Sequence, residues 1–120
     1  MKLTYNKHEK LKSKKAIEQL FSEGKSISAY PLRLVYLENS KTLKVGVSVS
    51  KRNFKKAVHR IRVKRLLREA YRLNKQQLIE KEINTYSIML LYMHKEMPNF
   101  ETLDALTKKV FKKFITQLEQ

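Results

Sequence analysis

Apolar residues repeat with two different periods along this chain, and each change of period marks an element. Ser13 suits the N-cap of a helix over residues 14–23, where Ile17, Leu20 and Phe21 fall on one side. Gly24 is expected to end that helix in a left-handed position. Leu20 reads as core, while Ile17 and Phe21, one turn apart, read as the lining of a groove. The period then drops to two. A short strand begins over residues 26–29, and a clearer one, rich in β formers, spans residues 32–37. In the latter, Leu32, Leu34 and Tyr36 point one way and Arg33, Val35 and Leu37 the other. Residues 38–42 are polar and short enough for a hairpin turn. Residues 43–50 alternate again, with Leu43, Val45, Val47 and Val49 on one face. Lys44, Gly46, Ser48 and Ser50 make the other face, which is small and polar, and Gly46 permits close approach by whatever lies across it.

The helical period returns after residue 56. A helix is expected from about residue 57 to 73, with Asn74 ending it and a short polar helical extension over residues 75–82. Residues 86–92 form a strand that is apolar on both faces, the mark of a central position. A last amphipathic helix starts at Asn99 or Thr102 and turns Leu103, Leu106, Val110, Phe114 and Leu118 inward. Its Lys108, Lys109, Lys112 and Lys113 read as a solvated face. The order αβββαβα places the chain in the α+β class, as a single-domain α-β sandwich over residues 1–120. Residues 1–12 are basic and read as loose.

Charge changes the picture most between residues 51 and 72. That stretch holds ten basic residues and one acid, Glu69, within a chain of formal net charge +16. On a wheel of about 100° per residue, Val63, Leu66, Leu67, Ala70 and Leu73 share one face. Arg60, Lys64, Arg68 and Arg72 repeat every four residues on another, with Arg65 beside them and Arg62 on the flank near Glu69. Like charges so stacked repel by a few tenths of a kcal/mol per pair, roughly, and a polyanion laid along them relieves that repulsion. Ile61 sits in the middle of the basic face, where folding alone would place a polar residue. Either it meets a ligand or another chain, or the helix starts after it.

The remaining chemistry is sparse. Two glycines cannot build a Gly-rich phosphate loop. The chain has a single aspartate, Asp104, and no cysteine. His8, His59 and His94 lack paired metal-ligand spacing, and no nucleophile, base and orienter stand together. The longest apolar run, residues 88–93, is too short to span a bilayer, and no early apolar run resembles a signal peptide. These residues describe a nucleic-acid-binding protein with no catalytic residue and no metal site of its own.

The run Ala57-Val58-His59-Arg60-Ile61-Arg62-Val63-Lys64-Arg65-Leu66-Leu67-Arg68-Glu69-Ala70 resembles the signature of the bacterial ribonuclease P protein component. That signature reads Arg-Asn-Arg, one apolar residue, Lys-Arg, two residues, then Arg-Glu or similar. Residues 45–52 look like the family's third strand and its exit, and residues 17–24 like its first helix and glycine. The likeness spans nearly the whole chain in length and element order. The signature's central asparagine is Ile61 here, so an asparagine hydrogen bond to RNA or to a metal-bound water has no counterpart at that position.

The resemblance implies a four-stranded sheet with a left-handed β-α-β crossover, against the usual hand. It also implies a partner, the catalytic ribonuclease P RNA, and a substrate, precursor tRNA, whose 5′ leader the complex removes in the cytoplasm. Lys51, Arg52, Lys55, Lys56, Arg60, Arg62, Lys64, Arg65 and Arg68 are assigned to the RNA subunit. Ile17, Phe21, Arg33, Val35, Ser48 and Ser50 are assigned to the leader, in a cleft between the first helix and the sheet. No cofactor is expected on the protein alone; Mg²⁺ is expected in the holoenzyme through the RNA, which performs the phosphodiester chemistry. No membrane and no oligomer are required. The alternative from another class is a ribosomal or ribosome-associated RNA-binding protein. It accounts for charge, size and fold, but not for the order of the arginines and lysines.

Overall fold

The computed structural model describes Tyr5 and residues 7–120. A 3₁₀ turn over Lys7–Glu9 leads to α1 (Lys14–Glu23), β1 (Lys25–Ala29), β2 (Leu32–Leu37) and β3 (Lys44–Val49). Then follow α2 (Ala57–Asn74), α3 (Gln76–Glu80), β4 (Ser87–Tyr92) and α4 (Phe100–Leu118). The strands form one sheet in the order β1-β2-β4-β3. β2 runs antiparallel to β1 and β4, while β3 runs parallel to β4, so β3-α2-β4 is a crossover unit.

That order overturns the expected hairpin between β2 and β3. The two strands are not neighbours; β4 lies between them. The apolar character of β4 decides this. Ile88, Leu90 and Tyr92 bury one face of it and Met89 the other, which only a central strand can do. Sheet neighbours are therefore chosen by burial, and the short 38–43 connection runs past an inserted strand.

Two cores flank the sheet. The larger packs Leu34, Tyr36, Val45, Ile88 and Leu90 against Val63, Leu67 and Tyr71 of α2 and Leu103, Val110, Phe111 and Phe114 of α4. The smaller, on the opposite face, joins Leu20 of α1 with Leu11, Val35 and Met89. On α2 the buried side chains are Val63, Leu67, Ala70, Tyr71 and Asn74, while Leu73 is exposed. Leu73 lies roughly 100° round the helix from the centre of the buried stripe. The α4 contact draws in Tyr71 instead, whose ring meets Phe111 edge-on at 6.3 Å. Asn74 does not merely end α2. Its amide donates to the Ala70 carbonyl and to Asp104 Oδ1 of α4, both at 2.7 Å.

Capping follows the sequence at both outer helices. Ser13 Oγ accepts from the Ala16 N–H, and Asn99 Oδ1 accepts from the Thr102 N–H. Gly24 is required for a different reason from the one expected. Its φ of −72° and ψ of 162° are extended, not left-handed. A Cβ there would lie 2.3 Å from the Leu20 carbonyl oxygen and 2.9 Å from that of Tyr36, so the chain leaves α1 through a gap only glycine fits.

The loose amino-terminal segment of the sequence reading is, from Tyr5 onward, a strap along the free edge of β3. Met1–Thr4 and Asn6 lie outside the described residues. Lys10 bridges Val45, the Leu11 N–H donates to the Val45 carbonyl at 3.0 Å, and Leu11 is buried. Glu9 fixes the strap to α2 and its end, accepting from Tyr71 Oη and Lys75 Nζ at 2.8 Å each. Basic composition hid this, because the segment's one acid makes both contacts.

Candidate nucleic-acid interface

The basic loop is anchored by its only aromatic. Phe54 is buried, with its ring 6.2 Å from Tyr92, and its N–H donates to the Ser50 carbonyl. Ser50 Oγ accepts from the Arg52 N–H at 3.0 Å and closes the turn. Lys51, Arg52, Lys55 and Lys56 are therefore exposed on a fixed loop. Arg60 completes the fixation. Its Nη1 donates to the Phe54 carbonyl at 2.8 Å and the Lys55 carbonyl at 2.9 Å. Much of its donor capacity is spent on the protein, so Arg60 positions the loop.

The helix begins at Ala57, which rules out a start after Ile61 and leaves that side chain 53% exposed amid the basic face. Arg62, Arg65 and Arg68 are exposed and Lys64 half-buried; none has an acidic partner among the described residues. Arg72 differs, since its guanidinium grips Glu69 and holds that carboxyl below its usual range. The free charges are thus concentrated between Lys51 and Arg68. Lys56 at the N-cap offers no side-chain acceptor, and no acid occupies the first turn. The positive end of the helix dipole coincides with the lysine-rich loop and adds to its field.

Two hollows open on this surface. One, of about 570 Å³, is lined by Arg52, Lys55, Lys56, His59 and Arg62 together with Lys95 and Met97 from the loop after β4. Lys95 is a single cation in a loop remote in sequence, so nothing in the chain order signalled it. The other, of about 330 Å³, brings Ile17 of α1, Gly46 and Met89 of the sheet, Lys10 and Lys12 of the strap, and Arg68 of α2 to one place. The space beside α1 therefore opens onto the basic face of α2.

The sheet face beneath α1 holds the other expected residues in register. Arg33 pairs with Leu91, and Leu91 with Ser48, giving the row Arg33-Leu91-Ser48 across three strands. Arg33 is exposed, donating to Ser26 Oγ at 3.3 Å, and Leu91 and Ser48 are half-buried. Phe21 is 48% exposed and Ile17 half-buried against the small core. Val35 is a correction: at 4% exposure it lies under α1 with Leu20 and Met89, a core residue with no free side-chain surface for a leader. The amphipathic alternation put Val35 on the right face, but α1 covers that part of it. Leu91 was missed, although its strand's two apolar faces contained the signal. Gly46 does permit close approach: a Cβ there would meet Met89 Cε at 3.0 Å and Leu11 Cβ at 3.4 Å.

Among the described residues no group of three or more His, Asp or Glu stands close enough to hold a metal ion, and no helix is long and apolar enough to cross a membrane. His94 serves its own loop, its Nδ1 accepting from the Glu96 N–H at 3.0 Å.

Comparison with known proteins agrees with this architecture. The chain is 40% identical over 111 residues to the ribonuclease P protein component of Porphyromonas gingivalis, covering 87% of this chain and 81% of that one. Its fold superposes on the RNase P protein of Staphylococcus aureus with a TM-score of 0.73 at 19% identity, over 88% of this chain and 94% of that one. It superposes on the RNase P protein of Thermotoga maritima with a TM-score of 0.73 at 23% identity, over 88% and 96%. The family model described as Ribonuclease P matches residues 5–115. With its basic crossover helix, its α1-covered sheet and nearly its whole length matched, this chain belongs to the ribonuclease P protein family.

Proposed function

We propose that this chain is the protein subunit of a ribonuclease P holoenzyme, binding the catalytic RNA through α2 and its preceding loop. The observation that carries the proposal is the run of acid-free cations from Lys51 to Arg68, all exposed but half-buried Arg60 and Lys64, on an anchored loop and helix. Arginine forks suit phosphates in bidentate geometry, and each phosphate neutralised contributes about 0.7 to 0.9 to the log-log salt slope. The single-stranded 5′ leader of precursor tRNA lies between α1 and the sheet, against Ile17, Phe21, Arg33, Leu91, Ser48 and Ser50. Phe21 is the only aromatic of that set, so contact is by one stacked base and the backbone, tolerant of sequence. Mg²⁺ enters with the RNA, which carries out hydrolysis in the cytoplasm.

Cleavage of a 5′-extended precursor tRNA at low Mg²⁺ tests the proposal, with protein alone, a bacterial ribonuclease P RNA alone, and both. Correct 5′ processing only in the mixture is expected. Cleavage by protein alone, or no stimulation despite tight RNA binding, would overturn it, the latter in favour of a ribosomal partner. In the same assay Phe21→Ala should weaken precursor tRNA binding more than mature tRNA binding; equal losses would take Phe21 out of the leader site.

A further inference from the structure

At the sheet edge opposite β3, strand β1 has no strand neighbour on its outer side among the described residues. A groove of about 630 Å³ runs there between β1 and α4. Half-buried Ile27 and the backbone of Ser26 and Ser28 form the strand wall, the two serine side chains lying on the opposite face with Arg33. Lys109, Lys112 and Lys113 form the helix wall. No acid lines it. Lys113 Nζ crosses the groove to the Ser28 carbonyl at 3.0 Å. Lys109 and Lys112 have no acidic partner among the described residues, whereas Lys108 on the same helix is paired with Asp104 at 3.0 Å.

A solvated helix face needs no such arrangement. Lysines at positions i, i+3 and i+4 repel one another, and no acid among the described residues offsets that here. Guarding an open strand edge against another strand accounts for a lysine or two on the strand itself, not for three facing it from a helix. The groove's chemistry is that of a nucleic-acid backbone site. Ammonium groups meet phosphates as point charges. Ile27 provides an aliphatic floor with no aromatic for a base to stack on, which points to backbone contact without sequence readout. Beyond Gln117 the neighbouring hollow is lined by Glu23 and Glu38 beside Lys25, so the acid-free lining ends there.

We propose that the β1–α4 groove is a second RNA-backbone site, at the edge of the sheet opposite the one beneath α2. It lets the protein hold two separate RNA segments at once. The inference rests on the RNA-partner reading above, and its test separates the two. Wild type and the triple variant K109Q/K112Q/K113Q are titrated with salt in two arms: binding to ribonuclease P RNA alone, and binding of precursor tRNA by the preassembled complex. The triple variant should show a log-log slope shallower by about 2 in one arm, which also identifies the RNA that occupies the groove. Wild type that fails to bind ribonuclease P RNA would overturn the function proposed above. Wild type that binds, with the variant's slopes unchanged in both arms, would overturn only the groove. Self-association of the variant with unchanged RNA binding would make the lysines edge guards and likewise overturn it. The chain has no cysteine, so K112C gives a single attachment point for a photo-crosslinker. A crosslink to RNA in the assembled complex is expected, and its absence would count against the site.

Discussion

Arg60 and Arg65 lie on the same helix, carry the same charge and stand five residues apart, yet their surroundings assign them different work. Arg60 donates to two carbonyls of the preceding loop, while Arg65 projects into solvent. Arg60→Ala should lower folding stability by about 1.5 to 3 kcal/mol in total, the range for hydrogen bonds from a charged donor. Arg65→Ala should leave stability within about 0.5 kcal/mol, as exposed substitutions do. It should instead flatten the salt slope of RNA binding by about 0.7 to 0.9. Urea denaturation and RNA titration on both variants check this; a stability loss at Arg65 as large as at Arg60 would contradict it. Residue-scale geometry also explains Ile61. Helix phase places it, 53% exposed, on the cationic face and outside both hydrophobic clusters.

At the scale of elements, α2 is less stable at its start than it could be. Its N-cap, Lys56, has suitable extended geometry (φ −82°, ψ 129°) but no side-chain acceptor for the N–H groups of the first turn. Lys56→Asp should supply one and suit the helix dipole, raising stability by about 0.5 to 2 kcal/mol. It removes one positive charge and adds one negative at the centre of the basic loop, so RNA affinity should fall at the same time. A thermal melt paired with an RNA titration tests this. Unchanged RNA affinity in a stabilised variant would remove Lys56 from the interface. The helix therefore accepts a weaker terminus in exchange for uninterrupted positive potential.

Across the whole molecule, half-buried Tyr5 and buried Tyr71 join parts distant in sequence. Tyr5 Oη donates to the Val45 carbonyl and its ring meets Tyr71 edge-on at 5.2 Å. Tyr71 in turn donates to Glu9. Burial pushes the Tyr5 phenol from 10.0 up to about 12, opposed by Arg68 and assisted by Glu9. Burial, then the bond to Glu9, push Tyr71 upward as well. Raised folded pKa values mean that the unfolded chain loses these protons first. Their contribution is complete below pH 10 and declines as pH rises through 10 toward 12 and beyond. Urea midpoints should therefore fall steadily between about pH 10 and 12, and less steeply in Tyr5→Phe. A flat profile across that window would show that the strap does not contribute to global stability.

Local chemistry was enough to fix much of this protein. Periodicity located all four strands and the α1, α2 and α4 helices, because a half-buried element must repeat its apolar residues at its own pitch. Side-chain type gave the Ser13 cap, the central place of β4 and the cationic stretch, and the order of residues 57–70 gave the family. Tertiary structure decided whatever depends on which elements meet. β4 enters between β2 and β3 because its two apolar faces need cover on both sides. Val35 leaves the candidate cleft because α1 lies over it, and Gly24 is needed for a backbone approach from β2 that no local pattern encodes. Glu9, Lys95 and the β1–α4 lysines acquire their roles only from neighbours more than thirty residues away. A single sequence records the burial each residue needs, but not which distant surface will provide it.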